Sequence, residues 1–256
     1  MLPSLFISHG SPMLALQPGA SGPALKALAN AWRDRRRSVV VSAHWESREL
    51  LVMGNAQPET WHDFHGFPAA LYAVQYPAPG EPALAEQVVE RLATAGLPAH
   101  LDARRPFDHG AWVPLSLMYP GASIPVIQVS LPSPLGPALQ VKVGEALSAL
   151  RAEGILLVGS GSITHNLGEL DWHAGPDAVE PGRWRSAIGW WTSWPQMTAM
   201  RCSTIGNRHR LPSATIPVTS TCCRCSSSWG LEGRSRWCTR GLPWGRWGWI
   251  SIGSTE

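Results

Sequence analysis

The stretch Leu2–Met13, with the sequence LPSLFISHGSPM, contains a short apolar run that ends at a histidine and a turn. The run Leu5–Ile7 predicts a buried β-strand, because short apolar runs bounded by turn residues are typical of strands covered on both faces. His9 follows almost directly, and Gly10 and Pro12 predict a sharp turn behind it. The stretch therefore predicts a strand that presents an imidazole at its carboxyl end.

Two later apolar runs repeat this plan. Val39–Ala43 leads into His44, and Ile155–Val158 leads through Gly159–Gly161 to His165. In open α/β sheets, ligands bind beyond the carboxyl ends of the strands. We therefore expect the histidines at these ends to meet in one site. The alternative for each of them is a structural histidine that ends a strand and bonds backbone groups.

Predicted helices separate these strands. Start signals and apolar spacing predict a helix from Ser21, a second over Pro82–Ala95 and a third over Pro137–Arg151. Ile124–Val129 predicts a further strand. Strands that alternate with helices predict an α/β fold, here a single-domain sandwich around a largely parallel or mixed central sheet.

Two segments that combine histidine with glycine and proline are predicted to be loops. Glu59–Pro68 contains His62, and Arg105–Trp112 contains His109. Loops held by a rigid scaffold carry binding and catalytic residues more often than core elements do. Both histidines are therefore candidate site residues, and the alternative is a surface loop with an incidental histidine.

Composition limits the class of protein. The chain has 256 residues, 44% of them hydrophobic, and a formal net charge of +3. This length is enough for a sizeable core. The charge is too small to indicate nucleic-acid binding by itself, and no apolar run approaches the roughly 20 residues of a membrane span. No basic and apolar leader precedes the first strand, so we expect a cytoplasmic protein.

The average composition hides a break late in the chain. All five cysteines lie after residue 200, and ten of the 14 tryptophans lie from residue 172 onward. Only two acidic residues, Glu232 and Glu256, follow residue 182, and there arginine replaces lysine entirely. We therefore divide the chain into a body, residues 1–182, and an atypical tail rich in Trp, Arg and Cys, residues 183–256.

The histidines favour metal chemistry over other site types. Neutral imidazole suits zinc, copper, iron and nickel, but His9 and His44 lie 35 residues apart, so only the fold can bring them together. Gly159–Gly161 lacks the third glycine of a dinucleotide loop, and the sequence contains no P-loop pattern. Ser11 lies in no G-x-S-x-G elbow, which argues against a serine hydrolase.

Six motifs follow one another along the body: SHGSPM, VVVSAHW, HDFHGFP, YPAPG, FDHGAWVPL and THN. In this order they resemble the class III extradiol ring-cleavage dioxygenases, and among them the branch of the 4,5-DOPA extradiol dioxygenase type. The resemblance runs from about Leu2 to Trp172.

The resemblance implies an α/β sandwich with one Fe(II) or Zn(II) ion per subunit. It implies that His9 and His44 are metal ligands and that His165 is an acid/base residue at the metal, sometimes counted as a ligand. It implies that His109 is a catalytic, substrate-side histidine, and it places His62 in a motif that we assign to the substrate side. The expected partners are a catecholic, DOPA-like small molecule and O2, with neither nucleic acid nor membrane.

The resemblance fails at the third protein ligand. In this branch a histidine in a late segment resembling H-P-x-x-E-H-L-L-P-L supplies it, and we find no such segment. Near the expected place Ser220–Cys225 reads STCCRC. One interpretation is a replaced site in which these cysteines, with His209 or Cys238, bind zinc, although the spacing matches no common zinc module.

A shift of one base in the reading frame explains more of the tail. Thr codons begin with AC and Cys codons with TG, and after a shift of one base these pairs become the last two bases of the new codons. The shifted codons over Thr221–Ser228 can then encode H-L-L-P-L-F-F-V, which restores the missing motif. The same shift accounts for the excess of Trp, Arg and Cys. We therefore expect a frameshift near Gly182–Arg185, a poorly packed segment over 183–256, and a dioxygenase impaired by the lost ligand.

Other interpretations remain open at this stage. The body would also suit a zinc-dependent hydrolase on a related α/β frame, or a binding protein without activity. The arginines and tryptophans of Arg234–Trp249 would suit a stacking surface for single-stranded nucleic acid, but no regular strand or helix pattern supports it.

Overall fold

The computed structural model describes residues 2–19, 21–31, 36–132 and 136–162, and the backbone of two strands beyond them. Within these described parts of the chain, the strands are β1 (Ser4–Ser8), β2 (Arg37–Glu46), β3 (Leu50–Met53), β4 (Ala99–Asp102), β5 (Val126–Leu131), β6 (Ile155–Gly161), β7 (Ser235–Trp237) and β8 (Ile250–Thr255). Its α-helices are α1 (Ser21–Ala31), α2 (Ala69–Tyr72), α3 (Pro82–Thr94), α4 (His109–Met118) and α5 (Pro137–Leu147), with 3-10 helices over Pro12–Ala15 and Ser148–Glu153.

One mixed sheet joins these strands in the order β4-β3-β5-β2-β6-β1-β8-β7. The central strands β1, β6, β2 and β5 run parallel, whereas β3 is antiparallel to β5 and β8 is antiparallel to β1. Every residue of β1, β5 and β6 is buried, as the continuous apolar runs predict for strands covered on both faces. The predicted α/β class and the largely parallel or mixed sheet are confirmed.

The predicted helices lie where apolar spacing places them. In α3 the residues Leu84, Val88 and Leu92 are buried on one face, and Gly96, with a φ of 74°, follows the end of the helix. The third predicted helix is divided, because α5 ends at Leu147 and the chain continues as a 3-10 helix. Both helical segments precede β6 and carry buried apolar side chains.

Two local predictions are wrong. His44 is inside β2 rather than at its tip, because the strand continues to Glu46, which pairs with Leu131 of β5 after a shift in register. His109 is not in a loop but is the first residue of α4. Asp108 caps that helix, since its side chain accepts a hydrogen bond from the Ala111 backbone N–H.

Strands β3 and β4 were not anticipated. Each has only four residues, and Leu101 and His100 of β4 are exposed, so neither strand carries a long apolar run. Their pairing with each other and with β5 extends the sheet on one side. Strands this short depend on their neighbours more than on their own residues.

The tail contributes backbone to the other side of the sheet. Ile250, Ser251 and Ile252 of β8 pair with β1, a contact that the expectation of little packing did not include. The rest of 183–256 apart from β7 lies outside the described residues, so the frame and packing of the tail stay predictions. None of the helices in the described ranges has the length and apolar character needed to cross a membrane.

Candidate active site

His9 is held rigidly at the end of β1. Its backbone N–H donates to the Gly161 carbonyl of β6 at 3.3 Å, and Gly10, with a φ of 63°, turns the chain away behind it. The buried ring has its Nδ1 2.9 Å from Ser160 Oγ, and that hydroxyl donates to the Gly110 carbonyl at 2.5 Å. Because the hydroxyl proton is used there, Ser160 Oγ accepts from His9 Nδ1–H, and Nε2 is the ring nitrogen with the lone pair.

His44 approaches His9 from the irregular part of β2. The shift in register lies between Val41 and Glu46, and within it the His44 backbone N–H donates to Ser42 Oγ at 3.1 Å. Its Nε2 lies 2.9 Å from Nε2 of His9. A register irregularity aims a side chain differently from its neighbours, and here it directs an imidazole towards the adjacent strand end.

His109 completes the group from the start of α4. Its backbone N–H and its ring Nδ1 both donate to Oδ1 of Asp63, each at 2.9 Å. The centre of its ring is 3.9 Å from that of His44 and 5.2 Å from that of His9. One ring nitrogen from each of the three histidines lies within 4.8 Å of the others.

Asp63 is the charged partner of this histidine group. Its other oxygen, Oδ2, lies 3.8 Å from Nδ1 of His44. Burial by itself would raise the pKa of the Asp63 carboxyl, but hydrogen bonds and charge from His109, with a smaller contribution from His44, outweigh it. The pKa of Asp63 is therefore lower than its ordinary value, and the carboxylate stays ionised at neutral pH.

The three histidines fit a divalent transition-metal ion. Three imidazole nitrogens form a donor set suited to zinc or iron. The 2.9 Å between Nε2 of His9 and Nε2 of His44 is short enough for both atoms to bind one ion at the Zn–N distance of about 2.0–2.1 Å. The sequence analysis expects His9, His44 and His165 to meet at the strand ends. The structure brings His9 and His44 together with His109, His165 lies outside the described residues, and the role of each histidine stays a prediction.

A fully buried carboxylate supports the histidines from behind. Oδ1 of Asp108 accepts from Ser42 Oγ at 2.5 Å and from the Ala111 N–H at 3.2 Å. Its Oδ2 accepts from Arg105 Nη2 and from Gln128 Nε2, both at 2.8 Å. One side chain thus joins β2, β5 and the first turn of α4, which together carry His44 and His109.

Arg105 is enclosed by aromatic rings. Its guanidinium carbon lies 4.6 Å from the ring centre of Trp45 and 5.1 Å from that of Trp61. Its Nη2 also donates to the His44 carbonyl at 3.4 Å. The cation that neutralises Asp108 is therefore also fixed against the strand that carries His44.

His62 lies beside the group but does not join it. Its Nε2 donates to the Val74 carbonyl at 3.1 Å, and its ring packs against Phe64, Tyr72 and Trp112. Phe64 in turn meets His109 edge-on, with ring centres 5.6 Å apart. Phe64 therefore lies between His62 and His109, and the substrate-side role of His62 stays a prediction.

Four supporting residues lie in segments that the sequence analysis singles out but receive no role from it. Asp63 and Asp108 are in two of the six motifs, and Arg105 and Ser160 are in the segments Arg105–Trp112 and Gly159–Gly161. An acidic residue directly beside a histidine, as in His62-Asp63 and Asp108-His109, is a usable signal, because ionised acids inside a fold need partners.

The comparisons with known proteins agree with this geometry. The sequence matches the family described as "Catalytic LigB subunit of aromatic ring-opening dioxygenase" over residues 3–180. The chain belongs to this family. The LigB match includes His9, His44 and His109, and it ends two residues before the boundary predicted from composition.

Characterised relatives carry the name "4,5-DOPA dioxygenase extradiol". One from Escherichia coli K12 is 46% identical over 173 residues, 67% of this chain and 63% of the relative. One from Beta vulgaris is 45% identical over 169 residues, 63% of this chain and 62% of the relative. The matches thus span less than two thirds of either relative. They confirm the family that the six motifs predict.

A solved structure supports the fold. A crystal structure of an uncharacterized protein from Escherichia coli K12 superposes on this chain with a TM-score of 0.80 and a sequence identity of 29%. The superposition covers 99% of this chain and 100% of the Escherichia coli chain.

Gly110 is the tightest point of the histidine group, and we expect Gly110→Ala to damage it. An added Cβ would collide with Ser42 Oγ and lie 3.0 Å from Cδ2 of His44 and 3.1 Å from Oδ1 of Asp108. Overpacking of this kind costs about 1–3 kcal/mol. Chemical unfolding measures this loss in the free energy of unfolding. Gly121→Ala, which meets nothing within 4 Å, is the control, and equal losses for both variants would contradict the prediction.

Asp108→Ala should lower the free energy of unfolding by about 3–5 kcal/mol, because it leaves the Arg105 cation buried without its partner. Urea unfolding monitored by circular dichroism measures the loss. Glu153→Ala removes another carboxylate–guanidinium pair, with Arg91 at 2.6 Å, but Glu153 is 40% exposed, so the expected loss is under about 1 kcal/mol. A loss for Asp108→Ala no larger than this control would refute a central role for the carboxylate.

Proposed function

We propose that this chain is a non-haem, metal-dependent extradiol dioxygenase that opens the ring of a catecholic, DOPA-like substrate with O2. The observation that carries the proposal is the meeting of His9, His44 and His109 inside the region that matches the LigB family. The names of the relatives point to the same reaction. Because the matches span less than two thirds of those relatives, the substrate and the activity are proposals for this chain.

The proposed ion is Fe(II) or Zn(II), one per subunit, held by Nε2 of His9 and Nε2 of His44. His165 stays a predicted ligand or acid/base residue. Fe(II) at these histidines would supply the electronic coupling between a catechol and dioxygen, whereas Zn(II), which has no redox chemistry, could supply only Lewis-acid polarisation. Both atoms of the dioxygen would enter the ring-opened product. The protein contributes the fixed orientation of the rings, which Ser160 and Asp63 set through Nδ1.

His109 is proposed to act on the substrate. A catechol hydroxyl must lose a proton to react, and imidazole, with an ordinary pKa of about 6.5, is suited to take it at neutral pH. Because Nδ1 of His109 donates to Asp63, the proton would be taken up at Nε2. The edge of Phe64 beside His109 offers an aromatic surface against which a flat ring can pack.

We further propose that the tail impairs this activity. The family match ends at residue 180, which supports a change in reading frame near Gly182–Arg185. Without a third ligand from the late family segment, the described histidines hold an ion less firmly. The cytoplasmic location and the absence of nucleic-acid and membrane partners also stay predictions.

Metal binding tests the ligands. His9→Ala and His44→Ala should each weaken Zn(II) binding by more than about 100-fold, since even loss of an outer-shell partner typically costs about 10–100-fold. Isothermal titration measures the affinity. His100→Ala is the control, because His100 is exposed on β4. Parent-like affinity in either of the first two variants would overturn its assignment as a ligand.

Oxygen consumption tests the reaction. With DOPA, Fe(II) and air, the parent should consume oxygen and form a yellow ring-opened semialdehyde. The variant His109→Ala should stay folded in the absence of substrate but should lose this turnover. An oxygen electrode and absorbance spectra follow both events. Colour without oxygen uptake would reject ring cleavage. Ester or phosphate hydrolysis with Zn(II) would favour a hydrolase, and catechol binding without turnover would favour a binding protein.

Resequencing the gene across the codons near Gly182 tests the tail. We expect an insertion or deletion of one base, and we expect the corrected chain to bind Zn(II) more tightly and to cleave DOPA faster than the chain as given. A confirmed reading frame together with cleavage at the rate of intact relatives would refute the proposed impairment.

A further inference from the structure

We propose that Asp63 is a positioning residue whose single carboxylate fixes the ring orientation and the tautomer of His109 and places negative charge beside the ring of His44. The expected effect of Asp63 on metal affinity rests on the proposed function, whereas its expected effect on ring orientation and tautomer does not. Neither the LigB match nor the names of the relatives assign this residue a role.

The contact with His109 determines one tautomer. Oδ1 of Asp63 receives two hydrogen bonds of 2.9 Å, from the backbone N–H and from ring Nδ1 of His109. An ionised carboxylate only accepts hydrogen bonds, so Nδ1 must carry the proton. The lone pair of the neutral ring is then on Nε2. The backbone contact also fixes the helix start relative to the carboxylate, which prevents the ring from turning.

The contact with His44 acts through charge. Oδ2 of Asp63 lies 3.8 Å from Nδ1 of His44, which is beyond a good hydrogen bond but within the range of an ion pair. Negative charge at this distance stabilises positive charge on the His44 ring, whether from a proton or from a bound ion. In the metal-free protein, Nε2 of His44 lies 2.9 Å from the unprotonated Nε2 of His9 and donates its hydrogen to it, so an ion that binds both atoms would replace this proton. The two rings that Asp63 serves have centres only 3.9 Å apart.

Two simpler roles for Asp63 make different predictions. As a structural acceptor, it would only anchor the start of α4, yet Asp108 already caps that helix through the Ala111 N–H. As a direct ligand, it would point an oxygen at the ion, yet both of its oxygens lie beside Nδ1 atoms, on the side of each ring opposite Nε2. A positioning role explains both contacts together.

Asp63→Asn separates these roles, because it keeps an acceptor for the His109 backbone N–H and removes the charge. We expect a larger fraction of the Nε2–H tautomer for His109 in the metal-free variant. We also expect Zn(II) affinity to fall by about 10–100-fold, as for other outer-shell partners of metal-binding histidines. Long-range 1H–15N correlation spectra at pH 8 measure the tautomers, and isothermal titration measures the affinity.

Glu59→Gln is the matched control, since it also replaces a carboxylate by an amide in the same segment but at an exposed side chain. It should change neither measurement. Parent-like tautomers and affinity in Asp63→Asn would overturn the proposal. Lost affinity with unchanged tautomers would also overturn it and identify Asp63 as a ligand.

The spectra of the parent give an independent test that does not require any variant to fold. His109 must appear as the Nδ1–H tautomer, and an Nε2–H signal from it would refute the inference. A parent that shows this tautomer and the expected shift in Asp63→Asn, yet binds no Zn(II), would support the positioning role while contradicting the proposed function.

Discussion

The burial of the Asp108 carboxylate is the constraint on which the rest of the site depends. A fully buried charge is costly unless it is paired and hydrogen-bonded, and this one is satisfied by four donors from separate parts of the chain. Satisfying it brings Ser42, Arg105 and Gln128 to one point. Because Ser42 also accepts from the His44 N–H, and Asp108 caps the helix that begins with His109, two of the three histidines are positioned by the same requirement.

The histidine group itself follows one rule: each ring turns Nδ1 towards an oxygen atom. Ser160 serves His9, and Asp63 serves His109 directly and His44 at a longer distance. The lone pairs of His9 and His109 are consequently on Nε2, whereas Nε2–H of His44 donates to His9 in the metal-free protein. A donor set arranged in this way needs little rearrangement to bind an ion, which is why the polar contacts around the rings matter as much as the rings.

The sequence allowed the central strands and the convergence of His9 and His44 to be predicted, because continuous apolar runs are local signals and parallel strands end at a common edge. The irregularity at His44 and the helix start at His109 were not predicted. The irregularity at His44 depends on the pairing of Glu46 with β5 and on the bond of Ser42 to Asp108, which are long-range contacts. The helix start at His109 has a local signal in its capping residue Asp108, which the sequence analysis did not use. The partnership of Asp63 with His109 spans 46 residues, and that of His9 with Ser160 spans 151, so no local pattern contains either.

Among the described residues, the contacts that orient the histidine group come from the body: Ser160 for His9, Ser42 for the backbone of His44, and Asp63 for His109. What the tail does supply is backbone, since β8 pairs along β1 and covers an edge that would otherwise expose unpaired amides. Backbone pairing is largely insensitive to side-chain identity, whereas a metal ligand is a single side chain. A change of reading frame can therefore preserve the edge of the sheet and still remove a ligand.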